Sequence, residues 1–186
     1  MGRIVVTEFV SLDGVFEDPG GAEGSEHGGW AFSFSRGEDG DAFKLDELKA
    51  SDAQLLGRVT YEGFAKAWPS YTDEVGFAVK MNEMPKYVVS STLTDPSWAN
   101  STVIGLADVA GLKDRYAGDI LVAGSGQLVR GLTAAGLVDE YRLMVFPVIL
   151  GSGRRLFDGT KLTRLNLSGT IPVGPDGVTV QRYVPA

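Results

Sequence analysis

Ala53-Gln54-Leu55-Leu56, Lys86-Tyr87-Val88-Val89 and Asp119-Ile120-Leu121-Val122-Ala123 are short apolar runs of strand length. Each stops at small or polar residues: Gly57-Arg58-Val59-Thr60, Ser90-Ser91 and Gly124-Ser125-Gly126. Helical patterns open directly after the first and third, at Thr60 with Tyr61, Phe64 and Trp68, and over Gln127 to Ala135, where Gly136 closes the helix. Strand, small-residue turn and helix in succession build parallel sheets, because parallel strands need a crossover that packs back on the sheet. Arg3 to Val10, rich in β-branched residues, adds a buried strand that ends at Ser11-Leu12-Asp13-Gly14. After Asp139 the pattern changes to Tyr141–Leu150, a Gly151-Ser152-Gly153 turn, and strands at Lys161–Thr170 and Val178–Val184 joined across Pro175-Asp176-Gly177. The expectation is an α/β fold with a mixed, mostly parallel central sheet covered by helices and ending in antiparallel strands.

Helical spacing also predicts helices over Asp41–Ala50, with Asp41 as its cap, around Val75–Asn82, and over Leu106–Tyr116. Thr102-Val103-Ile104 reads as a strand. Glu17 to Gly40, rich in Gly and acidic residues, has no sustained period and reads as a long loop of the kind that carries a site. With 186 residues and no linker, one domain over 1–186 is expected. Cysteine is absent, which removes disulfides, thiolate nucleophiles and Cys-ligated metals, and suits a cytoplasmic location. Seventeen basic against 24 acidic residues give a net charge of −7, the wrong sign for a general nucleic-acid binder. No apolar run approaches the roughly 20 residues of a membrane span, and Thr7-Glu8 interrupts the N-terminal run too early for a signal peptide.

The turns after the strands are the first candidate sites. Backbone N–H groups at a helix start, unobstructed by a Cβ, approach phosphate oxygens closely, and ligands of open α/β sheets sit outside the carboxyl ends of the strands. One such turn alone is usually only turn geometry; three on one sheet edge weigh more. Gly124-Ser125-Gly126-Gln127-Leu128-Val129 is not a Rossmann fingerprint, since Val129 replaces the third glycine, and no Gly-Lys-Ser or Gly-Lys-Thr of a phosphate loop exists. Asp13 is either a proton-relay or orienting carboxylate at a strand end, or the turn former of an Asp-Gly pair. His27, the sole histidine, excludes a multi-histidine metal site and reads as exposed in its loop; no metal is expected. Arg58 either reaches a phosphate or makes a surface ion pair, and Trp30, Trp68 and Trp98 either line a pocket or pack in the core.

Val10-Ser11-Leu12-Asp13-Gly14, Leu56-Gly57-Arg58-Val59-Thr60-Tyr61-Glu62, Val88-Val89-Ser90-Ser91, Val122-Ala123-Gly124-Ser125-Gly126-Gln127-Leu128 and Pro147-Val148-Ile149-Leu150-Gly151-Ser152-Gly153 occur in that order. In these segments the chain resembles the dihydrofolate reductase superfamily, specifically stand-alone proteins similar to the C-terminal reductase domain of the bacterial riboflavin-biosynthesis enzyme RibD. The resemblance implies a dihydrofolate-reductase-like three-layer α/β/α fold that binds NADPH across the strand ends, and homodimers. It implies that Gly57, Arg58 and Thr60 hold phosphates, with Arg58 near the 2′-phosphate, and that Ser90 and Ser91 line the adenosine. Gly124, Ser125, Gly126, Gln127 and Leu128 would wrap the pyrophosphate and nicotinamide ribose, and the backbones of Phe9 and Val10 would meet the carboxamide. Ser11, Asp13, Trp68, Leu150 and Gly151 would face the substrate.

The reading is an NADPH-dependent reductase that delivers hydride to a C=N or C=O of a small pterin-, pyrimidine- or flavin-precursor-like substrate, with the proton coming from water or from a carboxyl group such as Asp13. Two other readings stand beside it: a non-catalytic nucleotide or small-molecule binder of the same fold, and, more weakly, a hydrolase using Ser125 with His27.

Overall fold

The computed structural model describes residues 1–186. Its strands are β1 (Arg3–Ser11), β2 (Ser51–Gly57), β3 (Lys86–Val89), β4 (Ser101–Ile104), β5 (Asp119–Ala123), β6 (Glu140–Phe146), β7 (Leu165–Val173) and β8 (Val178–Pro185). Its helices are α1 (Gly37–Lys49), α2 (Arg58–Ala67), α3 (Phe77–Glu83) and α4 (Gly126–Ala134). One sheet takes all eight strands in the order β4-β3-β2-β5-β1-β6-β8-β7. β1 to β6 run parallel, and β8 and β7 close the sheet antiparallel.

Period-two alternation along the strands sends side chains to two faces. Ile4, Val6, Val10, Ile120 and Val122 pack with Leu128, Val129 and Leu132 of α4 on one face. Val5, Leu121, Leu56 and Val88 meet Leu48 of α1, Tyr61 of α2 and Met81 of α3 on the other. The sheet is thus the middle of three layers, as expected. Farther along it, Met144, Phe146, Val178 and Val180 enclose Trp30, which holds the 17–36 loop down by an Nε1–H bond to the Glu17 carbonyl at 2.8 Å. Each such fully buried side chain contributes about 1.5–3 kcal/mol from its removal from water.

Several boundaries differ from the sequence reading, and the larger differences have physical reasons. α1 starts at Gly37, not Asp41, because Gly37 lies against Gly174, where a Cβ would come within 2.9 Å of the Gly174 Cα, and the Asp39 carboxylate accepts the Gly174 amide. Asp41 pairs with Arg36 rather than capping. The Leu106–Tyr116 segment forms a 3-10 helix over Leu106–Leu112, and its two buried residues, Val109 and Leu112, are spaced three apart as that helix requires. β6 ends at Phe146, before Pro147, which has no N–H to donate. β7 runs over Leu165–Val173 rather than Lys161–Thr170, and its Pro172 is accommodated because β7 is the sheet edge.

Where β1, β5 and β6 begin, an ionic cluster ties the sheet. Arg142 bonds Asp119 at 3.0 Å and Glu140 at 3.1 Å, and Glu140 also receives Arg182 at 2.7 Å. Burial pushes the Glu140 carboxyl up, but the two arginines outweigh it and hold it at about 2.

Candidate active site

Because β1 to β6 are parallel, their carboxyl ends share one edge. Following the strand order, that edge presents Ser90 after β3, Gly57 after β2, Gly124 after β5, Ser11 of β1 and, beyond β6, Leu150. The three turns singled out in the sequence are therefore neighbours. The starts of α2 and α4 are stitched directly together: the Ser125 amide donates to Thr60 Oγ1 at 2.9 Å, and the Gly57 amide donates to Ser125 Oγ at 2.9 Å. Ser125 takes the left-handed conformation, φ 63° and ψ 41°, and Gly124 precedes it at φ 60°, which turns the chain sharply from strand into helix. A Cβ on Gly124 would fall 2.9 Å from the Thr60 methyl, so only glycine lets the two turns close up.

Neither α2 nor α4 has a side-chain cap. Their first-turn N–H groups, at Arg58, Val59 and Thr60 and at Gly126, Gln127 and Leu128, lack intrahelical acceptors, and the two positive dipole ends lie side by side. Such a cradle fits a diphosphate. Arg58, at the start of α2, is half-exposed and bonds both Glu62 oxygens at 3.0 Å. Ser90 Oγ accepts the Thr92 and Leu93 amides, and Ser91 is exposed.

β1 reaches beyond β5. Its pairing with β5 stops at Thr7–Ala123, whereas its pairing with β6 continues to Ser11–Phe146. From Glu8 to Ser11 the strand has a paired neighbour on one side only, and because successive residues turn their backbone groups to opposite sides, the alternate groups at Phe9 are the ones left without a strand partner on the β5 side. The Phe9 ring lies on the opposite face, against Phe146 and under the Arg36 and Lys44 cations. Val10 and Leu128 point into the core, so backbone is what they offer a ligand.

Asp13 fastens two loops. Its carboxylate accepts Ser11 Oγ at 2.7 Å, the Leu150 amide at 3.1 Å and the Gly151 amide at 3.0 Å, and Arg155 approaches at 3.5 Å. The Ser11 hydroxyl leads these contacts in holding it at about 2. At neutral pH it has no proton to give, which removes Asp13 as the proton source and leaves it to orient Leu150 and Gly151.

Trp68 does not join this edge. It follows α2, ten residues or about 15 Å along the helix from Arg58, and packs among Phe64, Tyr71 and Phe77. Its carbonyl accepts Asn82, whose own carbonyl holds Lys86 where β3 begins, at the opposite end of the sheet. The hydrolase reading also fails. Ser125 Oγ donates to the Ala123 carbonyl while it accepts Gly57, and His27 lies instead 3.2 Å from Ser152, beside a cavity of about 190 Å³. Trp30 and Trp98 are core residues.

One buried acid at this edge escaped the sequence reading. Glu8, in the middle of an apolar central strand, is 5% exposed; its Oε1 has no hydrogen-bond partner. Burial raises its pKa well above the usual carboxylate range, against the opposing pull of Lys44 and the Gly124 backbone. An acid interrupting Ile4-Val5-Val6 and Phe9-Val10 was the signal, since a lone carboxyl is expensive to bury.

Residues 3–179 match the family described as the RibD C-terminal domain. The chain belongs to the RibD C-terminal domain family. This RibD C-terminal-like chain is 30% identical over 172 residues to the uncharacterized protein YyaP of Bacillus subtilis (strain 168), covering 89% of this chain and 85% of YyaP. Among solved structures, a protein of Shewanella sp. PV-4 named for riboflavin biosynthesis is similar with a TM-score of 0.75 at 20% identity, over 99% of each chain. Dihydrofolate reductase from Enterococcus faecalis, solved with NADP(H), is similar with a TM-score of 0.59 at 15% identity, over 98% of this chain and 94% of that one. The latter two are likenesses of fold, and they agree with the dihydrofolate-reductase-like architecture.

Proposed function

We propose that this RibD C-terminal-like protein is an NADPH-dependent reductase of a small pterin-, pyrimidine- or flavin-precursor-like substrate. The observation that carries the reading is the pair of uncapped helix starts, α2 and α4, stitched through Thr60, Ser125 and Gly57 at the carboxyl edge of the sheet. The family match and the NADP(H) complex of a protein sharing the fold support it.

In this reading the first-turn amides of α2 (Arg58, Val59, Thr60) and of α4 (Gly126, Gln127, Leu128) bind the phosphates, the Gly57 and Ser125 amides being engaged in the bonds that hold the two turns together, and Arg58 answers the 2′-phosphate. Ser90 and Ser91 flank the adenosine. The one-sided stretch of β1 at Phe9 and Val10 receives the carboxamide, and Ser11, Asp13, Leu150 and Gly151 border the substrate. The cofactor, when bound, supplies hydride; the chain's own work is to bind, orient and exclude water. The Phe16 ring lies where a Cβ on Gly126 would be, so the loop after β1 roofs the start of α4 and shields it. A reductase using a soluble nicotinamide fits the cytoplasm, and no helix here is long and apolar enough to cross a membrane.

We also infer a homodimer formed through β7. This nine-residue edge strand pairs only with β8 and exposes Leu167 and Ile171, and long open edges are normally covered. The enzymatic reading is tested by incubating the protein with NADPH and a panel of oxidised pterins, aminopyrimidinones and imines while following loss of the reduced-nicotinamide absorbance. Turnover of a panel member is the expected result; saturable NADPH binding with no turnover across the panel would favour the non-catalytic binder.

A further inference from the structure

We propose that Glu8 is the acid of this site: its enclosed carboxyl, beside Gly124 on the open flank of β1, holds the proton that the reduced substrate takes up. The inference rests on the reductase reading and goes beyond it, since nothing in the family match or the cofactor cradle assigns this residue a role.

Three observations converge on Glu8. The first is isolation. β1 lies between β5 and β6 in the centre of the sheet, and a carboxylate enclosed there needs a cation or several donors to stay ionised. Lys44 is close enough to act on Glu8, yet its ammonium is bonded to Thr7 Oγ1 and Glu47 instead. From α1, then, Glu8 feels a cation and an anion that already satisfy one another. β5 and its turn offer Ala123 and Gly124, α4 begins Gly126-Gln127, and Leu143 of β6 stands in register with Glu8; none of these is charged. Its Oε1 makes no hydrogen bond within the protein. Enclosed polar atoms are nearly always paired, and an unpaired one in a site marks a contact still to be made.

The second is place. Glu8 is the first residue of β1 without a β5 neighbour, so it stands where the strand opens toward the Gly124–Gly126 turn. The third is the commitment of the other carboxyls nearby. Asp13 is ionised and bound to two amides, Glu17 is tied to Arg154, Glu62 to Arg58, and Asp108 to the Gly105 amide. Glu47 is also enclosed with an unbonded Oε1, but it is ion-paired to Lys44 and faces Arg142 at 3.6 Å; Glu8 alone combines enclosure, an unmade hydrogen bond and the carboxyl edge with no ion pair of its own.

The chemistry balances simply. A dihydronicotinamide is oxidised as the substrate carbon of a C=N or C=O gains a hydride; the π electron pair goes to N or O, which takes the proton from the Glu8 carboxyl. The resulting carboxylate regains a proton from water when the site opens. A buried acid keeps that proton through neutral pH, which Asp13 does not.

The test compares the full-length protein with Glu8→Gln, which keeps the shape, and Glu8→Asp, which keeps the acid. Infrared difference spectra of the unliganded proteins at pH 7, in H₂O and D₂O, are expected to show a protonated-carboxyl band that Glu8→Gln lacks. Calorimetry is expected to give NADPH affinities within about threefold of one another. With a substrate from the panel, Glu8→Gln is expected to lower the single-turnover rate by about 10²–10⁴-fold and to abolish the alkaline limb of its pH profile, with Glu8→Asp partly restoring both. No band assignable to Glu8, or a Glu8→Gln variant with the wild-type rate and profile, would overturn the proposal. Loss of NADPH binding in the wild type would instead defeat the cofactor reading, while the infrared band still reports whether Glu8 holds a proton.

Discussion

Thr60 and Ser125 lock two helix starts from separate crossovers into one surface: the hydroxyl of Thr60 accepts the amide of Ser125 at 2.9 Å, and Ser125 in turn accepts the amide of Gly57. The bond fixes the spacing of the dipole ends of α2 and α4. Thr60→Val removes the acceptor and leaves the Ser125 amide unpaired, a loss of about 1–3 kcal/mol. Urea unfolding is expected to show that loss and NADPH titration a weakening of roughly tenfold, each 1.4 kcal/mol being a factor of ten, with Thr60→Ser restoring both.

Arg58 is held by Glu62 in the absence of ligand. A single charge-assisted contact to the 2′-phosphate is worth about 1.5–3 kcal/mol. Arg58→Ala is therefore expected to weaken NADPH by about 10–100-fold and NADH by little. Glu62→Gln frees the guanidinium and is expected to tighten NADPH selectively. Calorimetry with both cofactors checks the pair, and equal losses in Arg58→Ala would contradict the assignment.

Stability is expected to fall at both ends of the pH range. Asp13 and Glu140 are held at about 2 in the folded protein, below their ordinary values of 3.8 and 4.5. Their contribution is complete above the ordinary values and is lost as pH falls through about 2. Glu8 runs the other way. Its folded pKa is raised, so the folded state binds the extra proton and stability declines as pH climbs above 4.5 toward the raised value. Denaturant midpoints from pH 2 to 9 are expected to show Asp13→Asn flattening the acid limb and Glu8→Gln flattening the alkaline one.

The uncovered side of β7 is expected to pair with a second copy. Light scattering at micromolar concentration should give the dimer mass, and Ile171→Lys, which puts a charge on an exposed edge position, should give the monomer with the fold intact by circular dichroism. A monomeric wild type would contradict the pairing.

The parts of this fold that are buried on both faces were legible in the sequence. Asp119–Ala123 reads as a strand because nearly every residue in it meets a core, and Gly124 reads as a turn because only glycine fits against Thr60. What depends on distant partners was not legible. The start of α1 is set by Gly174, 137 residues away, and the placement of Trp68 by the length of α2, which carries it to the far end of the sheet. In the sequence Glu8 reads only as a polar break in a strand, because the lack of a hydrogen-bond partner for its enclosed Oε1 is a property of three-dimensional neighbours and not of spacing.

The central claim is that the Gly57 and Gly124–Gly126 turns form one nicotinamide-dinucleotide cradle. Calorimetric titration with NADPH, with NADH alongside, tests it most directly. Micromolar, one-to-one NADPH binding that weakens strongly without the 2′-phosphate is the predicted result. No heat and no thermal shift with either cofactor at millimolar concentration would contradict it.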